Sequence, residues 1–301
     1  MLAYYGLLLI SACGVAAAPI LVRVSEVDAT STLFLRMGVA LALLLLPVGR
    51  RRERRETSSA AEATPRPAVL MLGIVGTGLL FCADMLANHW AVRLTSVANC
   101  MVLVNFTPVF VIVIAYFVLR ERQSAASVAA VAVAVAGAVV LVGASYTVGG
   151  DRLLGDGLAL SSAFIYSIYM VLTKTLRRWV PAARLLTWHT GLSFAFLVPV
   201  VALADAQVFP TTARGWVIVV GLAVMSQLIG HGLMTFSMKR VAVGVSSMST
   251  LVIPVLSSAM AWTLLAEPVH LHQLVGGCLV LLGVALYVAH DLAALRRKGA
   301  A

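Results

Sequence analysis

Charge is scarce in this chain. Asp, Glu, Lys and Arg make up only 11% of its 301 residues, where a soluble domain carries roughly 25%. Hydrophobic residues make up 61%, more apolar surface than a water-soluble core can bury, so a soluble globular domain is excluded. Acidic residues are the scarcer sign, 12 against 22 basic ones. The resulting formal charge of +10 lies mostly in short connections between apolar runs, where it reports membrane topology and not nucleic-acid binding. The four cysteines, Cys13, Cys82, Cys100 and Cys278, fall inside apolar runs and show no CxxC spacing, which argues against a disulfide framework and against a zinc site. No phosphate loop is present: "GIVGTG" at Gly73 lies within an apolar run and lacks the Lys and the Ser or Thr such a loop requires. The spaced His189, His231, His270 and His272 form neither a nucleophile with its base nor a metal-ligand cluster. An ATP-driven pump and a membrane enzyme are therefore disfavoured, and no cofactor or metal is expected.

What the chain does have is a series of apolar runs of about 20 residues, each long enough to cross a hydrocarbon layer of about 30 Å as a helix. Ten spans are expected, at 2–22, 30–49, 68–92, 95–119, 124–145, 154–175, 183–204, 213–236, 242–265 and 271–290. The first resembles a secretory leader at "ACGVAAAP" but lacks the positively charged segment that precedes one, and it is read as a span. The fifth, "VAAVAVAVAGAVVLVG", alternates like a strand. A lone strand in lipid would leave its backbone groups unpaired, which decides for helix. Its Ala126, Ala130, Ala134 and Ala138 then form a stripe for close helix packing.

With the N-terminus placed in the cytoplasm, most basic residues fall on the same side. Arg50, Arg51, Arg52, Arg54 and Arg55 do so, as do Arg66, Arg120, Arg122, Lys174, Arg177, Arg178, Arg184, Lys239, Arg240, Arg296, Arg297 and Lys298. Arg23, Arg93, Arg152 and Arg214 fall on the other. The positive-inside rule then puts both termini in the cytoplasm. The polar connection 49–67 is expected to be a cytoplasmic loop that serves topology alone, the headgroup-facing role being the lesser alternative.

Two stretches repeat each other. "NFTPVFVIVIAYFVLRE" carries Pro108 and Glu121, and "VIPVLSSAMAWTLLAE" carries Pro254 and Glu267. Both pairs, and Gly137 with Gly283, are separated by 146 positions. Two halves of five spans follow, 1–147 and 151–301, and because five is odd the second enters the membrane from the opposite side. Such inverted repeats let one chain expose a site alternately to either side. Proline inside a helix removes a hydrogen bond and clashes with the preceding turn. Its recurrence at matched places therefore indicates an intended bend or hinge, freeing carbonyls near Val104 and Thr250. Glu121 and Glu267 sit where one helix gives way to the next, a structural or gate-forming position.

The segment "SVANCMVLVNFTPVFVIVIAYFVLRERQS" followed by "AGAVVLVG", echoed by "VSSMSTLVIPVLSSAMAWTLLAEPVH" followed by "LLGVAL", resembles the EamA-type branch of the drug/metabolite transporter superfamily over essentially the whole chain. That resemblance implies an all-α integral membrane protein of ten transmembrane helices in two inverted five-helix repeats, residence in a bacterial inner membrane, and export of small metabolites. Members carry amino acids, nucleobases, sugars or drugs. Amino acids are the first expectation here because the polar lining combines acidic, basic and aromatic groups. A small-molecule substrate, protons and the lipid bilayer are the expected partners; the oligomeric state is open, and a channel or membrane enzyme is the lesser alternative.

Ionisable residues inside spans are informative because a charge at a helix centre costs about 2.5–3.5 kcal/mol on insertion scales. Arg36 and Asp84 both lie roughly 9–12 Å below the outer boundary at 1.5 Å per residue, and two roles remain open for them. They either neutralise each other as a buried pair, or Asp84 holds a substrate amine or a coupling proton. His189 takes the place of Arg36 in the second half, and His231 stands one position from the mate of Asp84. Histidine titrates near neutral pH, which suits His231 to a proton relay as well as to packing. Asn88 lies one turn beyond Asp84 and Gln227 one turn before His231. Asn99, Asn105, Ser246, Ser247 and Ser249 extend this lining, or bond back to their own helices. Tyr166 and Tyr169 suit either a mixed substrate or interface anchoring.

Overall fold

In lipid a chain must satisfy its own backbone hydrogen bonds, and every regular element among the described residues is helical. The computed structural model describes residues 2–46, 65–95, 97–121, 123–142, 153–203, 207–265 and 269–299. Eight of its helices are long and apolar enough to cross a membrane, and Thr30–Leu45 and Ala125–Leu141 are shorter apolar helices. The protein is an integral membrane helical protein.

In order, the elements are α1 (Leu2–Arg23), α2 (Ala29–Leu45), α3 (Pro67–Leu94), α4 (Val97–Val104), α5 (Thr107–Leu119), α6 (Ala125–Val142), α7 (Leu153–Leu176) and α8 (Ala182–Ala202). Next come α9 (Ala213–Leu222), a π-helical stretch over Ala223–His231, and α10 (Gly232–Ser237). The last three are α11 (Val243–Thr250), α12 (Val252–Leu265) and α13 (Leu271–Gly299).

The two spans expected to bend at proline are each two helices. Asn105 and Phe106 form a turn between α4 and α5, and Leu251 separates α11 from α12. Pro108 and Pro254 thus stand in the first turn of a new helix, where the N–H that proline lacks has no intrahelical partner to lose. The carbonyl expected to be freed at Val104 accepts from Thr107 Oγ1 at 2.7 Å. The alternating segment 124–145 is helical, as α6. Its Ala130, Ala134 and Ala138 are buried, whereas Ala126, in the first turn, is exposed. Glu267 and the connection 49–64 lie outside the described residues.

The chain forms two compact units, Met1–Ala83 with Leu172–Arg240 and Asp84–Val171 with Val241–Ala301. Helices α3 and α7 contribute to both, and each unit draws on both sequence halves.

In the first unit, α1 packs closely on the π-helical stretch. Ser11 Oγ donates to the Gly230 carbonyl at 2.7 Å, and a Cβ on Gly14 would meet the backbone of Met225 and Gly230. Helix α2 lies on α8, with Phe34 and Phe194 stacked at 4.8 Å. The connection between α1 and α2 is tied at both ends. Asp28 caps α2 by accepting from Thr30 N at 2.7 Å and Ser31 N at 3.3 Å. Glu26 accepts from Thr211 N, Thr212 N and the Thr212 hydroxyl at the start of α9. Arg177, only 1% exposed, follows α7 and donates to the carbonyls of Thr235 at 3.0 Å and Val180 at 2.7 Å. Lys174 Nζ donates to the Met238 carbonyl at 2.7 Å. Cations thus answer the carbonyls left unpaired where α10 ends.

In the second unit the most extensive packing is α6 against α13. A Cβ on Gly137 would lie 2.6 Å from Val280 N, and a Cβ on Gly283 would lie 2.6 Å from Ala134 N. The two contacts exchange under the 146-residue offset: Gly137 maps to Gly283, and Ala134 to Val280. The crossing is reciprocal, as an internal two-fold would make it.

Candidate functional site

Polar side chains sealed among apolar helices concentrate in one cluster in each unit. In the first unit Arg36, on α2, is 8% exposed. Its Nη2 donates to Gln227 Oε1 at 2.8 Å, and Gln227 Nε2 donates onward to Thr190 Oγ1 at 3.0 Å. Gln227 and Thr190 are wholly buried. Beside Thr190 on α8, His189 Nε2 lies 3.0 Å from Thr77 Oγ1. The Thr77 hydroxyl also lies 2.9 Å from the Gly73 carbonyl and 3.0 Å from that of Ile74. Its one proton serves a carbonyl, which leaves it to accept from Nε2–H of His189. Phe81 fills the space between the two imidazoles, stacked on His189 at 6.1 Å and edge-on to His231 at 5.1 Å.

The π-helical stretch explains how Gln227 and His231 come to this cluster. The N–H of Gly232 donates to the Gln227 carbonyl five residues earlier, so the helix is wider there and its side chains are re-aimed. π-helical turns recur at functional sites because they shift side chains without ending the helix. Some donors inside the cluster's helices stay unanswered. Arg36 Nε and Ser226 Oγ are buried without a hydrogen-bond partner.

In the second unit Asp84 is 4% exposed and Oδ1 accepts from Ser162 Oγ at 2.6 Å. Ser162, Tyr166 and Tyr169 recur at helical spacing on one face of α7, and the tyrosines stack at 5.5 Å. Ser167 Oγ lies 2.6 Å from the Ala163 carbonyl of its own helix and 3.1 Å from the Thr107 carbonyl, in the first turn after the break before Pro108. Asn105, in the break itself, is buried with Nδ2 unpartnered.

Within its own unit Arg36 bonds to Gln227, and within its own unit Asp84 bonds to Ser162. Gln227 and His231 belong to the first unit, Asp84 and Asn88 to the second. Asn88 is partly buried on α3, and Asn99 lies on α4. Ser247 and Ser249 bond back to the Gly244 and Ser246 carbonyls of their own helix, the alternative foreseen for them. Glu121 follows α5, its N–H donating to the Ala115 carbonyl. Sequence reasoning passed over Thr77, Phe81, Ser162 and Thr190. Two of them carried a usable signal: Thr190 adjoins His189 in "HTG", and Ser162 lies one turn from Tyr166. Thr77 sat in "GIVGTG", weighed there only as a phosphate loop.

A sequence profile of the EamA-like transporter family matches residues 2–143 and 153–289. An uncharacterized transporter of Archaeoglobus fulgidus is 25% identical over 221 residues, 73% of this chain and 77% of that protein. A protein of Streptantibioticus cattleyicolor named a probable terminal-alkyne amino-acid exporter is 26% identical over 255 residues, 83% of this chain and 79% of its own length. A solved crystal structure, 18% identical, superposes with a TM-score of 0.81 over 97% of this chain and 98% of that one. It shares the fold.

Proposed function

Because the chain belongs to the EamA-like transporter family, we propose that it is a secondary transporter that exports a small organic metabolite by alternating access. The observation that carries this reading is the buried polar cluster of the first unit. A guanidinium, two imidazoles, an amide and two hydroxyls are sealed among otherwise apolar helices, where such groups are costly and are kept for solute or ion handling. The absence of a nucleotide motif in the sequence leaves the solute's own gradient, protons or exchange as the driving force.

Amino acids are the substrate class we put first. Support comes from the acidic, basic and aromatic residues that the sequence places in its spans and from the name of the Streptantibioticus relative. Asp84 is assigned to a substrate amine or a coupling proton, since a carboxylate held by a single serine hydroxyl keeps acceptor capacity to spare. His231, edge-on to Phe81, is assigned to proton relay. The family match in two segments and the reciprocal Gly137 and Gly283 contacts support two inverted five-helix repeats making ten spans. The sorting of basic residues supports cytoplasmic termini, and the family resemblance is the ground for a bacterial inner membrane.

The test is uptake of labelled amino acids and nucleobases into reconstituted proteoliposomes, with and without a pH gradient. Saturable flux that rises with the gradient is expected, and Asp84→Asn is expected to remove the gradient-dependent part. Wild-type flux and pH dependence in Asp84→Asn would show that Asp84 does not couple protons.

A further inference from the structure

Among the described residues of its unit, Arg36 has no acidic partner. The membrane helices of the first unit, namely α1, α2, α3 as far as Ala83, the end of α7, and α8 to α10, contain no Asp or Glu. The described acids of that unit, Glu26 and Asp28, sit in the connection before α2 and are engaged there with Thr211, Thr212, Thr30 and Ser31. What Arg36 does have is Gln227, a neutral acceptor on one nitrogen. The other titratable groups packed nearby, His189 and His231, are bases.

A guanidinium offers five donors in a planar fork that matches a carboxylate in two places. Here one donor is occupied by an amide oxygen, while Nε is buried and unpartnered. On α8, Ser193 lies one turn from Thr190, which closes the Gln227 chain, and its buried hydroxyl stands against the Cys82 thiol. A buried cation with a spare donor, a neutral placeholder and no acid on the membrane helices of its unit is the arrangement of an anion site awaiting its ligand. If charge were not needed at this place, an apolar side chain would serve stability better.

We infer that Arg36 is the carboxylate-binding residue of the substrate site, with Gln227 a neutral partner that yields to the incoming oxyanion, so that the transported solute carries a carboxylate. The substrate class rests on the transport reading; the site itself does not. The substrate's two oxygens would take the fork in place of the single amide oxygen, and Gln227 would keep its bond to Thr190.

The experiment is thermal melting of the purified full chain in detergent with matched probes: leucine and phenylalanine, their amides, their decarboxylated amines, and 3-phenylpropionate. The acids raise the wild-type melting temperature by about 2–4 °C at saturation, and the amides and amines do not. Arg36→Met melts no lower than wild type and loses the response to every acid, including 3-phenylpropionate. Arg36→Lys keeps the charge without the fork, and its response requires about tenfold more ligand. Should Arg36→Met fail to fold, Arg36→Lys decides: an unchanged concentration dependence overturns the inference. Equal shifts in wild type and Arg36→Met, equal shifts with acids and amides, or no shift with any acid overturn it as well. Stabilisation by acids without flux in vesicles would sink the transport reading and leave this site standing. Flux of amides or amines as fast as acids would do the reverse.

Discussion

Glu26 and Asp28 tie the connection between α1 and α2 to the starts of two helices, and both are acids outside the membrane-spanning segments. The hydroxyl of Thr212 above all, with the N–H groups of Thr212, Thr211 and Gly215, holds the Glu26 carboxyl below the usual glutamate range against the upward push of desolvation. Partial burial pushes Asp28 upward, and its bonds from Ser31 and Thr30 outweigh that push and bring it down. A carboxyl whose folded pKa lies below its unfolded value stabilises the fold above the unfolded pKa, about 4.3 for Glu, and ceases to as pH falls through the folded one. Melting temperature should therefore drop on acidification below about pH 4.3, and Glu26→Gln with Asp28→Asn should flatten that limb. An acid limb as steep in the double variant as in wild type would contradict the assignment. Asp28→Ala should also cost about 0.5–2 kcal/mol as a lost helix cap. At this scale the sequence made the rare groups legible. Arg36 and Asp84 stand out because charge in an apolar run is uncommon, and His231 because imidazole is. Gln227 was legible as a lining residue, but its bond to Arg36 was not, nor were those of Thr190 and Ser162, because only packing selects which polar side chains meet.

Helices were the readable elements, since a run of about 20 apolar residues in lipid has few other ways to satisfy its backbone. Proline marked the irregular places correctly but not their form. Whether a chain bends at Pro108 or ends at Val104 and restarts at Thr107 is decided by the turn at Asn105 and Phe106, including the Thr107 bond to the Val104 carbonyl. The π-helical stretch had no signature at all. Its sequence, "AVMSQLIGH", reads as an ordinary helix, and α1 packs against it at Gly230. The crossing of α6 and α13 gives the test at this scale. Backbone atoms of Val280 and Ala134 lie where side chains on Gly137 and Gly283 would begin, and backbone cannot move aside as a flexible side chain can. Gly137→Val and Gly283→Val should each destabilise the protein by about 1–3 kcal/mol or more. Gly76→Ala, in the middle of α3 with open space around its Cβ, should be neutral or stabilising by up to about 1 kcal/mol. Thermal melting of the three variants in one detergent checks the contrast, and equal losses in all three would contradict it.

Across the whole molecule, one asymmetry was visible from composition onward: an abundance of apolar residues, few acids, and basic residues gathered on one side of the expected spans. Composition set the membrane class, and the 146-residue offset set the two sequence halves. What composition could not supply was the division into compact units, because each unit is assembled from both halves and α3 and α7 serve both. That interleaving depends on contacts hundreds of positions apart in sequence, such as Ser11 on Gly230, and no local pattern encodes it. The central claim, that this chain carries a small organic solute across a bilayer, is a claim about the whole molecule. Counterflow tests it most directly: proteoliposomes loaded with unlabelled amino acid are diluted into trace labelled amino acid with no other driving force. A carrier predicts transient accumulation of label above equilibrium that saturates with concentration and is absent from protein-free vesicles. Label that only equilibrates, at a rate linear in concentration, would contradict it.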